Sequence, residues 1–384
     1  NYLFQDYTFK YRFPSLYNLL PILNYFGVGE IFINELVTYP EIYKVLKFIK
    51  ELKLTIDAKL VMLLHDYFSI CPTVNLVNDK DVYCNIPEYT YCNNCLRYNI
   101  RKQYLEYGTI KDWRDNWKNF LLQCDEIRTF SKSSDHILRK VFGDMDNITV
   151  IPHQVNYVVP INKRIKTTNS LNIGLLGILT ANKGLYIIES MLKIIEERHL
   201  DIRIILLGTT ERTITSANFT QTGRYDKESI AYLTLKNDID IFLIPSICPE
   251  TFSYTTEEVI KMSMPVVAFN LGAPAERIKK YEKGMILERE DPNYIINEIL
   301  KFNEEKIKIE ISKEIYPKKI LFVIESISFA TRYRVEHAME QLLADGILSE
   351  QVLSDDLSKY EPNEYDAVVI YRCQFTKALD EFIT

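Results

Sequence analysis

The chain has 384 residues, more than one hydrophobic core usually supports, so two domains with an extra piece are expected. With 47% hydrophobic and 26% charged residues it has the composition of a soluble globular protein. The formal net charge of -6 argues against a broad nucleic-acid-binding surface. No apolar run approaches the roughly 20 residues that cross a bilayer, and the first residues lack the layout of a signal peptide. These features predict a cytoplasmic protein, with attachment at the inner face of the membrane left open.

The first part of the chain predicts strands that alternate with helices. Apolar runs predict strands at 30–36, 58–65, 126–131 and 147–152, and helical periodicity predicts helices over 40–52 and 98–123. Such alternation is typical of a parallel sheet covered by helices. Residues 153–170 break the periodicity with polar residues and a proline, which predicts a linker.

A second alternation follows and is the most regular βα series in the chain. It predicts strands at 171–177, 201–208, 238–245 and 265–269, and helices at about 183–198, 226–236, 255–263 and 292–304. A third segment predicts a strand in KKILFVIES, a helix in RYRVEHAMEQLLADG and a strand in DAVVIYR. The expected domains are therefore 1–158, 159–308 and 309–384, the last an extra βαβ segment.

Four of the seven cysteines lie in one loop behind the strand predicted at 58–65. Two interpretations stay open: the thiolates of a structural zinc site, or thiols that only pack. The candidate ligands are Cys71, Cys84, Cys92 and Cys95.

Two glutamates flank the start of the helix predicted at 255–263. Glu250 lies in the loop before this helix, and Glu258 lies on the helix itself. In an open parallel sheet, ligands collect at the carboxyl ends of strands, where helix N-termini present free N–H groups. Glu258 also fits a capping box with Thr255, so a purely structural role stays open for it.

A lysine precedes the helix predicted at 183–198. Lys183 and Gly184 fall where the helix dipole disfavours a cation, and a bound anion would reverse that penalty. The alternative is a solvated lysine at a frayed helix end. Arg224 lies in a turn ahead of the helix predicted at 226–236, where it suits an anion-binding crevice but on its own is more typical of an ordinary surface arginine.

Together these motifs resemble the family 4 glycosyltransferases of the GT-B fold, also called glycosyl transferases group 1. The resemblance rests on Glu250 and Glu258, on the segment from Gly177 to Gly184, on the Gly223–Tyr225 turn and on PVVAFNLGAPAERI. It implies an α/β protein in which two Rossmann-like domains face each other across a cleft. It also implies a retaining enzyme that moves a sugar from a nucleotide diphosphate donor to a glycan, a lipid-linked glycan or another hydroxyl acceptor.

The resemblance further implies roles for single residues. Glu258 would bind the ribose, Glu250 and His65 would contact the donor sugar, and Lys183 would neutralise the leaving diphosphate. The remaining implied nucleotide-binding residues are Gly177, Gly184, Arg224, Phe252, Ser253, Tyr254 and Thr255. No catalytic metal would be required. One departure is Ile178, which stands where many members have an arginine.

The expected function is glycosyl transfer in bacterial surface polysaccharide synthesis. Two alternatives are a catalytically silent GT-B module that binds a nucleotide sugar or a partner, and a nucleotide-sugar epimerase. The segment 318–342 resembles the start of another GT-B domain, so further glycosyltransferase modules of a longer chain are expected partners. The competing hypothesis is that this segment completes the sheet of the first domain.

Overall fold

The structure, a computed structural model, describes residues 2–5, 10–13, 16–37, 39–103, 108–161, 170–310 and 319–383. The strands are β1 (Tyr2–Gln5), β2 (Lys10–Phe13), β3 (Glu30–Ile33), β4 (Lys59–Leu63), β5 (Glu126–Thr129), β6 (Ile148–Val150), β7 (Leu171–Leu179), β8 (Ile202–Thr210), β9 (Phe219–Gln221), β10 (Ile241–Ile244), β11 (Val266–Phe269), β12 (Gly284–Leu287), β13 (Lys319–Ile324), β14 (Leu348–Leu353) and β15 (Ala367–Tyr371). The helices are α1 (Leu20–Tyr25), α2 (Ile42–Ile56), α3 (Tyr89–Tyr98), α4 (Ile110–Leu121), α5 (Lys132–Phe142), α6 (Leu185–Glu197), α7 (Ile230–Lys236), α8 (Tyr254–Lys261), α9 (Gly272–Ile278), α10 (Pro292–Glu310), α11 (Phe329–Thr331), α12 (His337–Ala344) and α13 (Lys377–Ile383).

Packing divides the chain into two compact units. The first unit contains Asn1–His153, Ile247–Phe252 and Leu271–Glu276, and the second contains Gln154–Ser246, Ser253–Asn270 and Arg277–Thr384. The domain boundaries proposed above follow sequence order instead, and they stay predictions.

The sheet of the first unit has the order β3-β4-β5-β6, and every pairing in it is parallel. Its strands lie where the apolar runs predict them. Three fully buried aromatic residues of α4, Trp113, Trp117 and Phe120, belong to the core beside this sheet. A capping box fixes the start of α4, because the Thr109 hydroxyl accepts the Asp112 amide while the Asp112 carboxylate accepts the Thr109 amide.

The long helix predicted over 98–123 is wrong in its first part. Helix α3 ends at Tyr98, and α4 begins only at Ile110. Asn99 ends α3, because its side-chain amide donates to the Val77 carbonyl and its side-chain oxygen accepts the Arg101 amide. An Asx turn of this kind competes with helix continuation. Residues 104–107 of the predicted helix lie outside the described residues.

The sheet of the second unit has the order β12-β11-β10-β7-β8-β9 and is parallel throughout. Strands β10 and β11 are buried along their whole length, which explains their continuous apolar sequence. The sequence analysis missed β9, β12 and α9, which are short. Strand order reverses between β7 and β10, and in sheets of this kind ligands bind at the carboxyl ends of the strands beside such a reversal.

The C-terminal segment forms a separate parallel sheet of order β14-β13-β15. Strand β13 therefore pairs with its own neighbours, and the hypothesis that it completes the first sheet is wrong for the described residues. Strand β14 was not predicted, because LSEQVL mixes polar and apolar residues. The Tyr232 hydroxyl on α7 donates to the Glu350 carboxylate on β14 over 3.1 Å.

Gly208 provides a test of how closely β7 and β8 approach each other. Its φ is 144°, and an added β-carbon would lie 1.8 Å from the Gly177 carbonyl oxygen. We expect Gly208→Ala to lower the free energy of unfolding by more than about 3 kcal/mol, since both the steric clash and the backbone strain are unfavourable. Gly223→Ala is the control: its φ is also positive, but no atom lies within 4 Å of the added carbon. It should cost only about 1 kcal/mol in urea denaturation, and equal losses would contradict the steric argument.

Candidate functional site

Two glycines shape the strand ends beside the β7–β10 reversal. A β-carbon at Gly177, near the end of β7, would lie 3.6 Å from the Thr255 methyl group on α8. At Gly184, which precedes α6, it would lie 2.2 Å from the Pro245 carbonyl oxygen just beyond β10. Both glycines also have positive φ, 87° and 84°. The structure thus brings the Gly177–Gly184 segment against the residues that follow β10, as the motifs predict.

Lys183 ends a short 3-10 helix, Ala181–Lys183, directly before α6. Its side chain is half-buried, which differs from the fully solvated lysine of the alternative interpretation. Because α6 begins two residues later, the lysine lies beside the positive end of the helix dipole.

The N-terminus of α8 has an unusual backbone. Ser253, its N-cap residue, is buried and has a φ of 66°, a left-handed conformation that costs energy for a residue with a side chain. The Ser253 side chain makes no capping hydrogen bond to the first amides of α8. The Ser253 hydroxyl instead lies 2.9 Å from the Thr256 hydroxyl. Strain of this kind and a helix start without a side-chain cap are features often found where a ligand binds.

Glu258, on α8, is 7% exposed and is surrounded by tyrosines. The Tyr157 hydroxyl donates to its Oε1 atom over 2.6 Å. Burial raises the pKa of Glu258, and the bond from Tyr157 partly opposes that rise. Its other oxygen, Oε2, has no hydrogen-bond partner among the described residues. The capping-box alternative is therefore wrong, since Glu258 bonds to Tyr157 and not to the Thr255 amide.

The linker predicted over 153–170 is not simply a spacer, because Tyr157 within it contacts Glu258. Residues 153–161 contain no helix or strand, but Val155 and Ile161 are buried, and Tyr157 contacts Glu258. The rest of the predicted linker, 162–169, lies outside the described residues. Sequence reasoning missed Tyr157 because a segment without periodicity was interpreted as a spacer.

Arg224 is exposed in the loop between β9 and α7. No described contact joins it to the other predicted residues. The adjacent Tyr225 is half-buried, and its pKa rises to about 12 because of burial and the nearby Glu258 carboxylate. In the Gly-Arg-Tyr turn, the tyrosine is therefore the residue that lies near Glu258.

The loop that carries Glu250 and Phe252 belongs to the first unit. Gly272 lets it pack closely: its φ is 58°, and an added β-carbon would lie 2.6 Å from the Glu250 amide nitrogen. The Thr251 hydroxyl, next to Glu250, donates to the His65 carbonyl over 2.9 Å. The Ser134 hydroxyl donates to the Thr251 carbonyl over 3.1 Å. The structure thus brings the predicted Glu250 loop to the end of β4.

His65 belongs to a stack of rings. Its imidazole centroid lies 4.7 Å from that of Phe130 and 5.5 Å from that of His153, and His153 lies 4.9 Å from Phe252. Burial lowers the pKa of His65, while the negative charge of Glu35 partly opposes that shift. The neutral imidazole is therefore favoured near pH 7. Sequence analysis missed Phe130 and His153, which carry no motif.

The four loop cysteines line one small cavity of about 20 Å³. All seven cysteines of the chain are free thiols. Burial raises the pKa of Cys71 to about 11 and also raises the pKa values of Cys84 and Cys95. Within the described parts of the chain, no three His, Cys, Asp or Glu side chains are placed to hold a metal ion. For Cys71, Cys84, Cys92 and Cys95, a structural zinc site and packed thiols both stay predictions.

Comparison with known proteins finds a family match that lies mostly in the second unit. Residues 170–305 match the family described as Glycosyl transferases group 1. The fold is GT-B. The Anabaena protein Alr3699/HepE in complex with UDP and glucose is similar over 76% of this chain and 73% of that chain, with 14% identity and a TM-score of 0.50. The same protein in complex with UDP-glucose is similar over 77% and 73%, again with 14% identity and a TM-score of 0.50.

At this identity the similarity shows the fold alone, and it confirms the predicted α/β GT-B class. No curated protein matches the chain in sequence. Among the described helices, none combines the length and the apolar character that a bilayer crossing requires.

Tyr157→Phe tests the environment of Glu258. Removing the donor leaves the buried carboxylate with one hydrogen bond fewer, so the pKa of Glu258 should rise further. A group whose pKa is raised in the folded state contributes less to the stability of the protein as pH rises. The loss in unfolding free energy caused by Tyr157→Phe should therefore be larger at pH 8 than at pH 4. We expect about 2 kcal/mol at pH 8, measured by urea denaturation. Tyr225→Phe is the control, and the same pH dependence in both variants would contradict the assignment.

Asp66→Asn tests a second carboxyl group, which follows His65. Burial raises the pKa of Asp66 to about 6, and the hydrogen bond from the Phe68 amide only partly opposes this rise. The folded state then holds a proton that the unfolded state releases, so stability falls between pH 4 and pH 6. Asp66→Asn lacks this titration. Its unfolding free energy relative to that of the wild type should therefore rise by about 2 kcal/mol between pH 4 and pH 6. Asp57→Asn, at an exposed helix end, controls for the loss of one acid, and a parallel response would exclude Asp66 as the source.

Proposed function

We propose that the protein is a retaining glycosyltransferase that takes a sugar from a nucleotide diphosphate donor. The observation that carries this proposal is the position of Gly177, where a β-carbon would lie 3.6 Å from the Thr255 methyl group in the first turn of α8, beside the strand-order reversal. A glycine-lined strand end and an uncapped helix start are a suitable receptor for a pyrophosphate. The match of residues 170–305 to the glycosyltransferase family supports the same assignment.

Lys183, Gly184 and the amides of residues 252–255 are proposed to bind the diphosphate. Negative charge builds on this group as the sugar leaves, so a preorganised cation and N–H groups lower the barrier. The ammonium group of Lys183 supplies the cation, and no divalent metal is needed for this step. Arg224 is proposed to assist from its exposed loop.

Glu258 is proposed to bind the ribose. Its Oε1 is already bonded to Tyr157, and Oε2 is left to accept a ribose hydroxyl. A carboxylate fixed by a phenol hydroxyl keeps one orientation, which holds Oε2 in place for this contact. Tyr254, on the exposed side of the same helix start, is available to pack beside the nucleotide.

His65 and Glu250 are proposed to contact the donor sugar. The bond between Thr251 and the His65 carbonyl holds the Glu250 loop and the end of β4 in one arrangement. A neutral imidazole both donates and accepts hydrogen bonds, which suits a sugar hydroxyl. The ring contact of His153 with Phe252 holds the end of the Glu250 loop.

The proposed acceptor is a glycan, a lipid-linked glycan or another hydroxyl compound, in the synthesis of bacterial surface polysaccharide. The complex of HepE with UDP-glucose makes UDP-sugars the first donors to test. The proposed place of action is the cytoplasm or the inner face of the membrane. Further glycosyltransferase modules are proposed as partners, because the sequence of 318–342 resembles the start of a GT-B domain.

A silent nucleotide-sugar-binding module is a second candidate function, favoured by Ile178. Where the resemblance places an arginine for the diphosphate, this chain has an isoleucine that is 64% exposed. Incubation with a panel of nucleotide sugars separates the two functions: a silent module binds donor but releases neither sugar nor transferred product.

Donor binding is tested by calorimetric titration with UDP-, GDP- and dTDP-sugars and with the free nucleosides. Glu258→Gln should weaken both the nucleotide sugar and the nucleoside at least tenfold, because it loses charged hydrogen bonds to the ribose. Lys183→Met should weaken only the diphosphate-containing ligands, by a similar factor. Lys193→Met, an exposed lysine of α6, is the control. Unchanged binding in both site variants would overturn the proposal.

A further inference from the structure

Arg114, in the first unit, is a buried cation whose partners among the described residues are uncharged. It is 7% exposed, and its Nε donates to the Ile70 carbonyl over 3.1 Å while Nη2 lies 3.8 Å from the Cys92 sulfur. Its guanidinium carbon lies 5.5 Å from the centre of the Tyr89 ring. Across the described residues, no carboxylate lies within ion-pair distance of it. Burying a charge without a counter-charge is costly unless something else compensates it.

Arg114 lines an open cavity of about 390 Å³ that reaches the start of α3. The cavity is also lined by Ile86, Pro87, Glu88, Tyr89, Thr90, Lys140 and Val141. Helix α3 has ten residues, and no described side chain caps its first amides. The first intrahelical bond comes from Cys92 to the Glu88 carbonyl, so the preceding amides have no helical acceptor. A helix N-terminus of this kind favours an anion.

The charges around the cavity leave a positive excess. Arg114 and Lys140 contribute two cations, and the exposed Glu88 contributes one carboxylate. The Lys140 ammonium bonds to the Asn85 carbonyl and side-chain oxygen over 2.8 and 2.9 Å, which holds it at the rim. The apolar walls formed by Pro87 and Val141 and the Tyr89 ring suit the face of a sugar.

We propose that this cavity binds a sugar that carries a phosphate or a carboxylate group. The oxyanion contacts the amides at the start of α3, the Arg114 guanidinium and the Lys140 ammonium, and the sugar ring packs on Tyr89 and Pro87. The bound oxyanion supplies the negative charge that Arg114 lacks. None of the residues that line this cavity is among those assigned above to the nucleotide, and the proposal does not depend on glycosyl transfer.

Binding is measured by NMR, through the amide signals of Thr90 and Tyr91, with inorganic phosphate, glucose 6-phosphate, glucuronate and glucose as probes. The charged sugars should bind more tightly than phosphate alone, and glucose should not bind measurably. Whichever of glucose 6-phosphate and glucuronate binds more tightly identifies the anionic group.

The variants are matched in pairs. Tyr89→Pro removes one amide at a helix position that tolerates proline, and Tyr89→Ala removes the same ring but keeps the amide. Affinity should fall further in the proline variant. Lys140→Met should weaken binding about fivefold, the scale of a partly exposed charge pair. Lys118→Met, on α4 outside the cavity, and Lys183→Met should leave these signals unchanged.

Glu88→Gln gives the decisive control, since it should tighten binding about fivefold by removing the repelling carboxylate. A damaged fold does not produce a gain in affinity. The proposal is overturned if the probes leave the Thr90 and Tyr91 signals unmoved, or if Lys140→Met and Glu88→Gln bind like wild type. Because Lys183→Met is read on the same signals, failure here is distinguishable from failure of the proposed donor site.

Discussion

Close backbone approach at glycine is the constraint on which the second unit depends. Gly208 meets the Gly177 carbonyl, and Gly184 meets the Pro245 carbonyl, at distances that exclude a single β-carbon. These contacts bring the ends of β7, β8 and β10 together without intervening side chains. The space left at the strand ends is therefore bounded by peptide groups, whose N–H dipoles are fixed before any ligand arrives.

The second unit also contains a buried carboxyl group. Burial opposes its ionisation, and a hydrogen bond from one tyrosine hydroxyl favours it. Glu258 and Tyr157 come from segments about a hundred residues apart, and only the folded unit brings them together. In the first unit, the Ser131 hydroxyl and the Glu276 carboxylate occupy the first amides of α5. The starts of α3 and α8 have no such side-chain cap. The two helices to which we assign anions are thus ones whose own sequences leave the N-terminus open.

Periodicity predicted the long elements well, because a buried strand or an amphipathic helix records its own environment in consecutive residues. Strands β3 to β8 and β10, β11, β13 and β15 were found in this way. The candidate residues Gly177, Lys183, Glu250 and Glu258 came from motifs instead, and their roles stay predictions. Short strands such as β9 carry too few residues for a pattern. Tyr157 and His153 were missed for another reason: their role comes from contacts distant in sequence, which no local window contains. The Asn99 turn that splits the predicted helix depends likewise on the distant Val77 carbonyl.

The C-terminal sheet repeats the topology of the second unit on a smaller scale, with β13 between β14 and β15. Its strand order also reverses beside the first strand, so geometry alone gives this segment a crevice at the end of β13. The helical run that begins there is closed by its own residues, because Ser328 and Thr331 satisfy each other's amides in a capping box. The C-terminal sheet therefore has a crevice of the kind to which we assign a diphosphate in the larger sheet, but side-chain hydroxyl groups of the same segment already bond to amides there.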